Sequence, residues 1–232
     1  MRNYCALSIV SLFFVGCATQ GVSTYNYQDK QPVTIKNELS VNKPYSMVWD
    51  GVVRELSKSF YVINNIDKES RIINLSFSSN SPVEYVDCGK TKRFYTQGSK
   101  KESWEYDVAG SASFKVAASQ QEHPAFANYA VIRREPSLEG RANIYVAPDD
   151  KNSSNTVVTV NTRYILTQKV KGEAFAEHIS GAVHPRGRLQ DETFTYTFNT
   201  NRPGKLEAGG GEYVTCFSKG KLEEEILDMV SR

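Results

Sequence analysis

Two serine–lysine spacings, Ser40-Val41-Asn42-Lys43 and Ser218-Lys219-Gly220-Lys221, match S-x-x-K, in which a lysine activates a serine for acyl transfer. That chemistry also draws on S-D-N and K-T-G motifs; neither occurs in the chain, and there is no G-x-S-x-G elbow. Local roles explain the serines better, Ser40 at a strand end and Ser218 as a helix cap. The three histidines, His123, His178 and His184, lie in loop-like sequence without H-E-x-x-H or a tight Cys/His cluster. His178 and His184 can approach each other in one loop, as a solvated pair. Asp149, Asp150, Asn152 and Asn155 offer oxygen donors but lack the glycine and terminal glutamate of a calcium loop, so they read as a polar hairpin tip. Gly209-Gly210-Gly211 runs into Glu212-Tyr213-Val214, a strand rather than the G-K-[ST] and helix of a phosphate cradle. No cofactor, no metal and no enzymatic activity are expected.

Two other groups of residues carry more information. Arg2, an apolar run from Ala6 to Val15, and Gly16 before Cys17 make a secretory signal too short to cross a bilayer, with a thiol just after the cleavage point. Cys5 leaves with that signal, so the exported chain keeps Cys88 and Cys216 besides Cys17. An even pair in an oxidising compartment reads as a disulfide, closing a loop of 128 residues. Spacing alone also leaves open two free thiols or half a metal site. Farther along, Lys90, Lys92, Arg93, Lys100 and Lys101 surround Phe94 and Tyr95. A basic segment with an aromatic centre suits lipopolysaccharide phosphates, anionic lipid or an acidic protein, and it is equally the pattern of a solvated hairpin.

Composition sets the frame for these groups. Of the whole chain 40% is hydrophobic and 23% charged, the balance of a globular protein with a buried core. Loss of Arg2 with the signal leaves 27 basic residues facing 26 acidic ones, too even a balance for a nucleic-acid binder. No later segment is long and apolar enough for a membrane helix, so lipid is the expected membrane contact.

The elements that must position these residues follow from periodicity. Residues 18–31 lack a pattern and read as a tether. Val33–Val41 suits a strand. Tyr45, Val48, Trp49, Val52, Val53, Leu56 and Phe60 form one helical stripe after Pro44. Tyr61–Ile66 and Arg71–Phe77 read as a hairpin turning at Asp67–Ser70. Trp104–Val108, Phe126–Arg133, Arg141–Ala147, Val157–Val170 and Thr193–Phe198 alternate as strands. A Pro136/Gly140 turn is expected between the second and third, and loops at Pro148–Asn155 and Ala176–Leu189. Leu222, Ile226, Met229 and Val230 stripe a final helix from about Lys219. The expected organisation is a signal over residues 1–16, a lipidated cysteine and flexible tether over 17–32, and one domain over 33–232. Its fold class is α+β: a mainly antiparallel sheet, one long amphipathic helix packed on it, and a C-terminal helix.

Phe14-Val15-Gly16-Cys17 resembles the lipobox of bacterial lipoproteins, with Phe14 where leucine is usual. The resemblance implies that Cys17 is diacylated, becomes the N-terminus and is acylated again. Ala18 in place of Asp implies, in a diderm bacterium, the outer membrane facing the periplasm. Val41–Ser78, VNKPYSMVWDGVVRELSKSFYVINNIDKESRIINLSFS, resembles the helix-grip units of envelope lipoproteins such as the C lipoprotein of the outer-membrane barrel assembly machinery. It covers under a fifth of the chain. That family has two grip domains and a long extended N-terminal segment, which this chain lacks. Tyr85–Gly89 and Cys216–Glu223 look like segments of other bacterial lipoproteins and support pairing Cys88 with Cys216. These resemblances imply a non-enzymatic envelope lipoprotein, an adaptor or accessory factor for an envelope protein or anionic polymer. The alternative they imply is a carrier of a small apolar ligand or lipid, which needs an unfilled cavity between the Trp49 helix and the Thr193–Phe198 strand.

Overall fold

Alternation of apolar and polar residues builds most of this molecule, and it runs farther than its turn signals imply. The computed structural model describes residues 19–118, 125–207 and 213–231. In chain order these form β1 (Val22–Gln28), β2 (Glu38–Val41), α1 (Tyr45–Leu56), β3 (Val62–Asp67), β4 (Ile72–Ser79), β5 (Val86–Asp87), β6 (Lys90–Gln97), β7 (Lys100–Asp107), β8 (Ala112–Ala117), β9 (Phe126–Pro148), β10 (Thr156–His178), β11 (Val183–Arg188), β12 (Glu192–Asn199), β13 (Gly204–Glu207), β14 (Tyr213–Ser218) and α2 (Lys221–Ser231).

The backbone of the fold is the antiparallel ribbon of β9 and β10, 23 residues each, paired without a break from Phe126↔His178 to Pro148↔Thr156. Along the free edge of β9 lie β8 and then β4, with β3 outside β4; along β10 lie β2, β12 and β11 in turn. A second sheet orders β1-β6-β7, and a third β13-β14-β5. All pairings are antiparallel, so alternate residues share a face. Ile73, Leu75, Ala142, Ile144, Val146, Val158, Val160, Tyr164 and Leu166 point into one core, which Val48, Trp49, Val52 and Leu56 of α1 and Leu222, Ile226, Leu227 and Val230 of α2 close.

This corrects the expected fold class. The molecule is mostly antiparallel β-structure, and the long helix gripping a sheet is absent. After 12 residues α1 ends at Leu56, and Ser57 and Ser59 cap the exposed carbonyls of Arg54 and Leu56. Phe60, expected on the buried stripe, therefore leaves the helix and is fully exposed. Between α1 and β12, Trp49, Val160, Tyr164, Tyr196 and Phe198 belong to one buried cluster.

Four further expectations change. Part of the 17–32 tether is β1, paired along its whole length with β6; the Ser23 hydroxyl accepts the Ala117 amide at 2.7 Å and Tyr27 reaches the Cys88 carbonyl at 3.1 Å. The Pro136/Gly140 turn is the interior of β9. Pro136 lies between the end of β8 pairing at Arg134 and the start of β4 pairing at Leu138, where one edge of the strand has no partner and its missing N–H is tolerated. The Ala176–Leu189 loop is the end of β10 and β11, a hairpin of its own. The first strand is shorter than expected, with only Glu38–Val41 paired to β10. The two-strand hairpin after α1, the polar tip at 149–155, the Thr193–Phe198 strand and the C-terminal helix are where periodicity placed them.

Cys88 and Cys216 form a disulfide between the end of β5 and the middle of β14, both sulfur-bearing residues buried.

Candidate functional site

The chemistry-bearing spacings come apart in the fold. The Ser218 hydroxyl accepts the Gly220 amide at 2.9 Å and lies 3.1 Å from the Tyr164 hydroxyl, while Lys221 reaches away to Glu84 at 2.7 Å and over the Tyr85 ring. No serine–lysine couple forms there. Ser40 is a strand residue paired with Val157. Glu223, fully buried in the first turn of α2, accepts hydrogen bonds from Thr200 at 2.6 Å and Tyr164 at 2.8 Å. Burial, then the Glu223 carboxylate, push the Tyr164 phenol far above its ordinary range. This satisfied network binds α2 to β10 and the segment after β12.

His178 and His184 both pack edge-on to the Phe126 ring, at 5.0 and 5.7 Å, and His178 bonds Ser180. Among the described residues no group of three or more His, Cys, Asp or Glu could hold a metal. His123, Gly209-Gly210-Gly211 and Cys17 lie outside the described residues. Asp149 and Asn152 accept backbone amides two residues on, as in polar hairpin tips.

The five basic residues share the β6–β7 hairpin but not a face. Strand alternation puts Lys90, Lys92 and Lys101 on its outer side with Glu105 and Asp107, whereas Arg93 and Lys100 face the main sheet. Lys90 approaches Glu105, Lys92 lies over Phe94, and Lys100 pairs with Glu177. Arg93 gives its Nε–H to the Tyr106 hydroxyl at 2.9 Å. The hairpin turn at Gly98 lies against Thr19, so Lys101 sits near the first of the described residues.

A cleft forms where β3 starts late. Val62 is its first paired residue, opposite Ser76, so Phe77, Ser78 and Ser79 of β4 have β9 on one side and, among the described residues, no strand on the other. A cleft of about 760 Å³ opens on that edge. Phe77 forms its floor because its strand partner is Gly140. A Cβ there would fall 1.8 Å from the Phe77 ring, so only glycine lets the ring lie across β9 towards Tyr85, at 5.1 Å, and Tyr164.

The walls are Ser59–Val62 from the chain after α1 and Glu225 and Met229 from α2, with Glu139 and Arg141 beyond the floor. Tyr61 donates to Glu225 at 2.6 Å; burial first, and that carboxylate second, push its phenol far above the ordinary range. Tyr61 is thereby fixed as a neutral donor that holds the loop after α1 to α2. At the rim Phe60 is 105% exposed and Val62 62%. An open strand edge flanked by free apolar side chains presents unpaired backbone donors and acceptors, the means by which one sheet takes a strand from another chain.

Sequence periodicity missed this edge. The signal was the Ser57–Ser59 run, whose side chains compete for backbone carbonyls and end the helix one turn before Phe60. Comparison with known protein families, with curated proteins and with solved structures finds no match to this chain.

Proposed function

We propose that this protein is a non-enzymatic lipoprotein of the bacterial envelope, held by lipid on Cys17, that acts as an adaptor by taking an extended segment of a partner protein onto the free edge of β4. The observation that carries the reading is the unpaired stretch Phe77–Ser79 beside the fully exposed Phe60 and the exposed Val62. Backbone pairing supplies affinity in such strand addition, and side-chain pockets such as the one floored by Phe77 supply selectivity. Glu139 and Arg141 on the adjoining strand supply one charge of each sign to that cleft.

The anchoring part of the reading rests on the sequence Phe14–Cys17 and on the buried disulfide, which suits an oxidising compartment. Since β1 begins at Val22, five residues after Cys17, the lipid and the domain lie at most about 18 Å apart along the chain. That distance brings the Gly98 turn and Lys101 to the membrane surface, where anionic lipid adds to the hold of the acyl chains. The outer membrane, facing the periplasm, is the location this reading assigns.

Two substitutions test it. Cys17→Ser should abolish fatty-acid labelling and release the protein from the membrane fraction; continued labelling contradicts the anchor. Phe60→Ser touches no packed neighbour, so it should leave the melting temperature unchanged while removing the function seen in a deletion-complementation assay. Full complementation by that variant contradicts docking at this edge.

A further inference from the structure

A second cleft, of about 320 Å³, lies between the inner face of the β1-β6-β7 sheet and the strands β8, β9, β10 and β12. Two guanidinium groups meet there on one ring. Arg93 donates its Nε–H to the Tyr106 hydroxyl at 2.9 Å and stacks between Phe114, at 4.4 Å, and Tyr25, at 4.9 Å. Arg134 lies 5.2 Å from the Tyr106 centroid and donates one terminal N–H to the Val108 carbonyl at 2.9 Å, while its buried Nε has no partner. Among the described residues neither guanidinium has a carboxylate within ion-pair distance; Glu192, which also lines the cleft, is exposed and pairs with neither.

Gln168, on the same face of β10 as the lining residue Val170, is fully buried with both amide atoms unpaired, although it does not itself line the cleft. Two cations held by aromatic stacking, with in-plane donors free and, among the described residues, no ion-pair partner, make a recognition site rather than a structural ion pair. Phe114, Phe194 and Val116 supply an apolar wall beside them.

We infer that this inter-sheet cleft binds a small anionic amphiphile, its carboxylate or phosphate head on Arg93 and Arg134 and its apolar body along Phe114 and Phe194. The site is independent of the docking edge on β4 and survives if that reading fails. Calorimetric titration of the full chain carrying Cys17→Ser, without detergent, tests it with four probes. Decanoate should bind one site at least tenfold more tightly than decanol, which lacks the charge, and than inorganic phosphate, which lacks the body. Vesicles of phosphatidylglycerol distinguish a bilayer lipid from a free acid: the cleft's enclosure predicts that decanoate binds and vesicles do not compete with it.

Arg93→Gln and Arg134→Gln should each weaken decanoate tenfold or more and leave decanol unchanged. Should Arg134→Gln fail to give a cooperative melting transition, Arg93→Gln decides, because its side chain's hydrogen bond goes to the Tyr106 hydroxyl, and Lys92→Gln on the outer face of β6 serves as a folded control with both guanidinium groups retained. Equal affinity for decanoate and decanol, unchanged binding by Arg93→Gln, or competition by vesicles alone overturns the assignment.

Discussion

Glu223 is the residue that depends most on its neighbours. With no solvent exposure, it is held by Thr200, Tyr164 and, at 3.4 Å, Ser218. Glu223→Leu removes the acceptor for three buried hydroxyls and should lower stability by about 3 kcal/mol in urea unfolding, against about 1 kcal/mol for Glu223→Gln, which keeps one acceptor. Loss of less than about 1 kcal/mol by the leucine variant would mean that the network adds little. Sequence could name Ser218 as a residue of the helix start, but a glutamate on an amphipathic helix reads as solvated. Its partners come from β10 and the turn at Thr200, far away along the chain. Tyr27 carries a second prediction. Burial foremost, opposed by the Thr215 amide it accepts, pushes its phenol up to about 12, and burial does the same for Tyr95. Both states are protonated below the ordinary value near 10, so this contribution is complete there; above it the unfolded chain ionises first and stability falls. The melting temperature should decline between about pH 10 and pH 12, less steeply in Tyr27→Phe. An equally steep decline in that variant would contradict the assignment of the shift to Tyr27.

At the scale of elements, the order of helices and strands was largely legible and their extent was not. The α1 stripe, the β3–β4 hairpin and β12 follow from local period alone. β9 did not, because Pro136 and Gly140 carry turn signals that only the neighbouring strands cancel: one falls in the gap between β8 and β4, the other opposite a phenylalanine that needs its missing Cβ. β1 escaped because VSTYNYQ buries too little by itself, and its pairing partner β6 lies some seventy positions away in sequence. The β5–β14 link shows how such distant elements are secured. Its disulfide spans 128 residues, and Asp87 beside it donates nothing but accepts from Lys30 at 2.8 Å and the Gly89 amide at 2.8 Å. Reduction, or replacement of both cysteines by alanine, should cost about 2–5 kcal/mol of stability, read as a lower urea midpoint. An unchanged midpoint would show that the β5–β14 pairing stands without the bond.

For the molecule as a whole, two features lie in different sheets. The β6–β7 hairpin turn at Gly98 sits beside Thr19 in one, and the open edge of β4 lies beside the exposed Phe60 in the other. The proposed anchor rests on a local sequence pattern, Phe14–Cys17, outside the described residues. The docking edge was hidden, since it arises from where β3 fails to cover β4. Photo-crosslinking in living cells from a benzoylphenylalanine at position 60, with the same group at Tyr213 as an exposed control, tests the account most directly. The account predicts one discrete envelope-protein adduct from position 60, absent from the control and lost when Cys17→Ser frees the protein from the membrane. No adduct from position 60, or the same adduct from Tyr213, would contradict it.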